Sequence, residues 1–294
     1  MFNPVIHGVT GAAGQLGRLV VAALARRVPA ASIVALVRDP AAAEGLFPEG
    51  VVARLADYDQ PATMEAAFAG IDRLLLISSN AIGRRMAQHR NVIAAASAAR
   101  VGRLAYTSVL RADASPLMLA EEHRGTEAMI AASGLPYSFL RNGWYTENYL
   151  AAVPSALQHG ALIGAAGEGR VSAATRADYA EAAAAALVGD AGSAVVHELA
   201  GDDAWTLTGF AAELSRQTGR AIPYVDMPEA EYRGALIGAG LPEAFAGLLA
   251  NSDAAAAGGA LFDETHSLSR LIGRPTTPLA AAMAAALAQG APAA

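Results

Sequence analysis

The chain contains no cysteine, which excludes disulfides, thiolate metal sites and cysteine nucleophiles. It contains no lysine either, so all 21 cationic side chains are arginine. Schiff-base chemistry and a lysine general base are therefore impossible. So is the Tyr-x-x-x-Lys pair that exchanges a proton with an alcohol in many dehydrogenases. No charge-free run of about 18 apolar residues is present, so no membrane span is expected although 54% of the 294 residues are hydrophobic. Arg18 and Arg26 interrupt the first apolar helical pattern and no signal-peptide pattern precedes it, so a cytoplasmic location is expected. A net charge of −6 argues against a general nucleic-acid-binding surface. The six histidines and the scattered carboxylates show no metal-ligand spacing, and no internal repeat is visible.

What is present is concentrated at the start. An apolar run from Val5 to Val9 gives way to Thr10-Gly11-Ala12-Ala13-Gly14-Gln15-Leu16-Gly17, followed by an Ala/Leu/Val pattern with helical spacing. Strand, glycine turn and helix form the phosphate-binding start of a dinucleotide fold. Gly11 allows the sharp turn, Gly14 lets backbone approach a pyrophosphate, and Gly17 lets the helix pack close to the strand. The helix then offers free N–H groups and its positive end to phosphates. The next β-rich run, Ser32 to Val37, ends in Arg38. At that position an acidic residue suits the 2′-hydroxyl of NAD, whereas arginine suits the 2′-phosphate of NADP. The alternative is a plain solvated charge after a strand. The cofactor expected is NADPH.

Strand and helix patterns then alternate, as a parallel sheet requires. Strands are expected near 4–9, 32–37, 51–55, 72–78, 103–107 and 136–141, with helices near 15–27, 61–69, 85–99 and 118–133. After a helix at 178–188, Val195 to Leu199 has the pattern of a late strand returning to the sheet. From about 206 the pattern is mainly helical. The fold class expected is α/β, a Rossmann-type doubly wound parallel sheet with a smaller, mainly helical C-terminal domain. The dinucleotide-binding domain is assigned to 1–150, with the chain returning to it near 178–200, and 151–294 mainly to a smaller substrate-side domain.

Ligands of open α/β sheets collect at the carboxyl ends of the strands. Asp57 follows the third strand, as an adenine acceptor or as a turn carboxylate capping the next helix. Ser78, Ser79 and Asn80 follow the fourth, and their small polar side chains suit a diphosphate and a ribose. Tyr106-Thr107-Ser108 ends the fifth. After the sixth comes Arg141-Asn142-Gly143-Trp144-Tyr145-Thr146-Glu147-Asn148-Tyr149, which combines flat aromatic surface with amide groups and is the best candidate for an acceptor site. Trp144 and Tyr145 have a packing role as their alternative. His123 and Glu127, four residues apart, share one helix face. His123 is thereby a candidate proton donor, or else a structural partner of a nearby carboxylate or backbone group. His89 and His159 lie in contexts that suggest the periphery.

The segments TGAAGQLG, IVALVRDP, LLLISSN, QHRNVIAAASAARV, LAYTSVL, EEHRGTEAMI and LPYSFLRNGWYTENYL together resemble the NmrA-like branch of atypical short-chain dehydrogenases. More closely, they resemble the bacterial type 2 NAD(P)H:quinone oxidoreductases, and the similarity runs through nearly the whole chain. The resemblance implies NADPH bound in a groove beside a Rossmann domain, and quinone reduction by direct hydride transfer with no flavin and no metal. It implies a cofactor held by Gly11, Ala12, Ala13, Gly14, Gln15, Leu16, Arg38, Ser78, Ser79, Asn80 and Asn142, and a quinone beside Asn142, Gly143, Trp144, Tyr145 and Asn148. Ala13 stands where many relatives carry threonine. Two other functions are implied by branches of the same family: sensing NADP(H) without turnover, and reduction of triarylmethane or azo dyes. A monomer or homodimer is expected.

Overall fold

The computed structural model describes residues 4–189 and 192–290. In chain order its elements are β1 (His7–Thr10), α1 (Gln15–Ala25), β2 (Ile33–Val37), β3 (Val52–Leu55), α2 (Pro61–Ala67), β4 (Arg73–Leu76), α3 (Arg85–Ala98) and β5 (Arg103–Val109). Then come α4 (Ala120–Ala132), β6 (Tyr137–Asn142), α5 (Thr146–Leu150), α6 (Val153–His159), β7 (Leu162–Gly164), α7 (Arg176–Val188) and β8 (Ala194–Leu199). The chain closes with α8 (Leu207–Thr218), β9 (Tyr224–Asp226), α9 (Glu229–Gly238), α10 (Glu243–Ala257), α11 (Ser267–Ile272) and α12 (Leu279–Ala288).

Two compact units are present. Of the described residues, the first comprises 4–113, 121–142, 176–189 and 192–199, and the second 114–120, 143–175 and 200–290. The border thus falls at Asn142/Gly143, not near 150, because the chain after β6 is stitched locally to the second unit. Trp144 accepts at its carbonyl from Ala174 N–H at 3.2 Å, and Thr146 N–H donates to the Ala174 carbonyl at 2.9 Å. Among the described residues no helix is long and apolar enough to cross a membrane.

The first unit is built on a seven-stranded parallel sheet in the order β3-β2-β1-β4-β5-β6-β8. β1 and β2 are buried at every position, and β2 accordingly reads as an unbroken apolar run, Ile33 to Val37, rather than an alternating one. On one face, Leu36, Leu74, Leu76, Leu104, Tyr106 and Phe139 pack with Met64, Val92 and Ile130 from α2, α3 and α4 and with Phe68 just after α2. α1 lies along α7, and α7 packs against β4, β5 and β6. Helices on both faces make the sheet doubly wound. The order reverses between β1 and β4, the place where open α/β sheets accept nucleotides.

The second unit is mainly helical, with one element beyond the sequence pattern: β7 and β9 form a two-stranded parallel sheet. Three residues per strand leave too little periodicity to be legible. Around it Asp253 of α10 is buried, and its Oδ2 accepts from Ala165 N–H at 3.0 Å. Burial pushes its carboxyl up to about 6, helped by the nearby charge of Asp226. A Cβ on Gly164 would lie 2.8 Å from Asp253 Oδ2 and 2.7 Å from a Leu207 methyl, so a larger residue there would have to push both side chains aside.

Candidate functional site

The glycine turn after β1 has the geometry of a phosphate cradle. Gly11 turns at φ +58, a left-handed value that favours glycine. Gly14 N–H donates to the Gly11 carbonyl at 3.0 Å, and Ala12 N–H to the Leu36 carbonyl at 3.2 Å, tying the turn to β2. A Cβ on Gly17 would lie 2.3 Å from the Gly11 oxygen and 2.7 Å from the Ala12 Cα. Only glycine lets α1 approach the turn so closely. Ala13, Gly14 and Gln15 are exposed while Ala12 and Leu16 are buried. α1 has no side-chain N-cap and no acid in its first turn, so its opening N–H groups and positive end are unclaimed by the protein.

A hydroxyl network holds this turn against β4. Thr10 Oγ1 accepts from Ile77 N–H at 3.0 Å, and Tyr58 OH bonds both Thr10 Oγ1 and the Ile77 carbonyl, the latter at 2.9 Å. Burial raises the Tyr58 pKa, so the phenol remains a neutral donor. Asp57 accepts from Asp59 N–H at 3.0 Å and from the Gln60 side chain at 2.9 Å, the turn-carboxylate arrangement. Arg38 directly follows β2, exposed and without an ion pair among the described residues.

The segment 78–80 follows β4 and is fixed at its backbone. Ser78 N–H donates to Thr107 Oγ1 at 2.8 Å, and Ser79 N–H donates to His89 Nε2 at 3.0 Å. His89 is fully buried on α3, a correction to its expected place at the periphery. Desolvation, reinforced by Arg85, lowers its pKa to about 3. Arg85, Gln88 and His89 all face this segment. Their spacing of i, i+3, i+4 was the available signal, and the low hydrophobicity of that helix concealed it.

His123 of α4 is enclosed, 6% exposed, with Nδ1 2.7 Å from Tyr106 OH. Burial, then the charge of Arg85, holds its pKa well below the usual imidazole value. The ring is neutral at working pH rather than a charged donor in an open cleft. Its helix-mate Glu127 forms a two-point bond with Arg141, Nε to Oε1 at 3.0 Å and a terminal nitrogen to Oε2 at 2.8 Å. The remaining terminal nitrogen of Arg141 reaches Glu198 at 2.8 Å and Asp113 at 3.2 Å. The bonds to Glu127 raise the Arg141 pKa further. His123 and Glu127 do share one face, and it is turned to β5 and β6.

Asn142 closes β6. It is 5% exposed, and among the described residues its Oδ1 is buried with no hydrogen-bond partner, as is Ser108 Oγ on the neighbouring strand. An unmade bond of that kind is costly, and a ligand amide or hydroxyl would satisfy it. In the second unit, Gly143 and Trp144 are buried while Tyr145 and Asn148 are half-buried. The cradle too tight for a Cβ, the uncapped helix, the exposed arginine after β2 and the orphaned Asn142 oxygen fit a phosphorylated dinucleotide with an amide head.

Fold and site together define a dinucleotide-binding Rossmann protein. Residues 11–190 match the family model described as NAD(P)H-binding. The chain is 55% identical over 273 residues, 92% of its length and 95% of the relative's, to quinone oxidoreductase 2 of Escherichia coli. A crystal structure of the E. coli NADPH-dependent quinone oxidoreductase complexed with NADPH superposes with a TM-score of 0.94 at 52% identity, covering 96% of this chain and all of that one. Triphenylmethane reductase of Citrobacter sp. superposes with a TM-score of 0.91 at 35% identity, covering 96% of this chain and 99% of that one. The chain belongs to the NAD(P)H-binding family, on its NmrA-like branch, with the type 2 quinone oxidoreductases.

Proposed function

We propose that this protein is an NADPH-dependent quinone reductase that works by direct hydride transfer, without flavin or metal, in the cytoplasm as a monomer or homodimer. The observation that carries the reading is similarity to a quinone oxidoreductase over 92% of the chain, with the glycine cradle intact. When bound, NADPH supplies a hydride that, with one proton, converts a quinone to a hydroquinone. Gly11, Ala12, Ala13, Gly14, Gln15 and Leu16 form the turn that takes the diphosphate, on those backbone N–H groups that the turn does not itself use. Arg38 takes the 2′-phosphate by charge-assisted bonds. Ser78, Ser79 and Asn80 would line the ribose and diphosphate, and Asn142 would serve the carboxamide. Asn142, Gly143, Trp144, Tyr145 and Asn148 are assigned to the acceptor.

The absence of a Tyr-Lys pair agrees with this chemistry. A ketone acquires alkoxide charge that needs a positioned acid, whereas a quinone becomes aromatic as its oxygen acquires charge, and the resulting phenolate is a much weaker base. The protein's contribution is proximity and orientation. Since His123 is buried and neutral, solvent is the proton source in this scheme, and His123 holds Tyr106. A second reading, reduction of conjugated dyes, is favoured by the 35%-identical triphenylmethane reductase.

The test is NADPH oxidation followed at 340 nm with flavin-free protein and a simple benzoquinone, with NADH and a triarylmethane dye alongside. Turnover well above the uncatalysed rate and faster with NADPH is the expected result. Preference for the dye selects the second reading. Tight NADP(H) binding without turnover on any acceptor refutes the enzyme and leaves a cofactor sensor.

A further inference from the structure

Every polar atom of Ser79 is gripped from the first turns of α3. Its N–H donates to His89 Nε2 at 3.0 Å, its carbonyl accepts from Arg85 Nε at 2.7 Å, and its hydroxyl bonds Gln88 Oε1. The hydroxyl also accepts from Ala81 N–H at 3.1 Å. Each of the three gripping side chains is itself braced. Arg85 pairs with Glu122 at 3.2 Å, Gln88 Nε2 donates to Asp59 at 3.0 Å, and His89 Nδ1 lies 2.9 Å from Thr126 Oγ1. Arg85, Gln88 and His89 are 7%, 7% and 0% exposed.

The bonds determine the His89 tautomer. Nε2 receives a backbone N–H and must be unprotonated, so the ring proton sits on Nδ1 and is donated to Thr126 Oγ1. The Thr126 hydroxyl passes its own proton to the Glu122 carbonyl at 2.8 Å. Both nitrogens are committed with the ring neutral. Burying a guanidinium and an imidazole side by side costs free energy unless every bond is made. A strand-end loop is ordinarily the mobile part of such a fold, and this one is fixed at three points by one helix.

We propose that His89 is a positioning residue for the cofactor: through the Ser79 N–H it pre-sets the 78–80 backbone in the shape that receives the dinucleotide. The proposal rests on the assignment of Ser78, Ser79 and Asn80 to the cofactor site. A wall already in place spends no binding energy on ordering itself. Loss of the grip therefore weakens binding out of proportion to its effect on stability.

The test is calorimetric titration of the full chain with NADPH, for wild type, His89→Phe, His89→Gln and a core control, Ile130→Val. Phenylalanine keeps the ring and removes the acceptor. Glutamine places an oxygen where Nε2 lies. The expected result is a Kd raised about tenfold in His89→Phe, the equivalent of one lost bond to a buried group, and largely restored in His89→Gln. Ile130→Val lowers Tm and leaves Kd unchanged. Equal Kd in wild type and His89→Phe, or equal weakening by Phe and Gln, overturns the proposal. Wild-type protein that binds no NADPH overturns the cofactor assignment beneath it, which is a distinguishable outcome. Nitrogen NMR of the wild-type ring needs no variant: a protonated Nδ1 and an acceptor Nε2 from pH 5 to 8 support the proposal, and a ring that titrates in that range refutes it.

Discussion

Gly14→Ala and Gly17→Ala separate what the glycine turn does for the fold from what it does for the ligand. At Gly17 the added Cβ meets the Gly11 oxygen at 2.3 Å, the Ala12 Cα at 2.7 Å and the Ala12 oxygen at 2.8 Å. All three atoms are backbone, so no rotamer change relieves the overlap. α1 must slide away from the turn by about 1 Å, against its packing along α7, and overpacking of this kind costs about 1–3 kcal/mol. At about 2–4 °C per kcal/mol for a chain of this size, Gly17→Ala lowers Tm by roughly 2–12 °C. At Gly14 the only close atom is the Gly11 oxygen, at 3.2 Å, and the residue's φ of −72 suits alanine. Stability should change by less than about 1 kcal/mol, whereas the methyl intrudes on the exposed backbone assigned to the pyrophosphate. NADPH affinity should fall at least about tenfold, as expected when bonds to a charged group are disturbed. Thermal melts and NADPH titrations of both variants decide the matter. Gly14→Ala with wild-type Kd, or Gly17→Ala with wild-type Tm, refutes the reasoning.

Three further perturbations follow from the charged groups. Asp253 has its carboxyl raised from 3.8 to about 6 by burial. The folded state therefore holds the proton more tightly, and its contribution to stability, fully present below pH 3.8, is lost as pH rises through 6. At about 1.36 kcal/mol per unit the loss is about 3 kcal/mol. Asp253→Asn keeps an acceptor for Ala165 N–H and should remove that slope and be more stable than wild type at pH 7.5; parallel pH–stability curves in urea unfolding would contradict this. Arg38→Ala should weaken NADPH by about tenfold to a hundredfold, the worth of bonds to a charged group, with NADH scarcely affected; equal effects on both cofactors would show that Arg38 is only solvated. Arg141→Leu leaves Glu127 buried and unpaired and should cost about 3–5 kcal/mol. Adding Glu127→Leu should recover much of the loss in a double-mutant cycle, and simple additivity would argue against the pairing.

The sequence by itself determined the sheet, its helices and the cofactor turn. Those features rest on short-range constraints. Ile33 to Val37 is apolar throughout because a strand buried on both faces must be. Gly11, Gly14 and Gly17 mark a backbone shape that few other residues permit, and the absence of lysine removed a mechanism by inspection alone. The tertiary structure decided which polar side chains face which neighbours. The polar helix around His89 concealed its burial, yet it lies fully enclosed with Ser79 and Thr126 on its two nitrogens. Helical spacing put His123 and Glu127 on one face but was silent on where that face points. The sheet register answers this by bringing Tyr106 and Arg141 beneath them. The orphaned oxygen of Asn142 was equally invisible, since a missing partner is a property of the surroundings. Backbone geometry is written in nearest neighbours along the chain, whereas protonation, tautomer and vacancy depend on residues 10 to 60 positions away, brought together only by the fold.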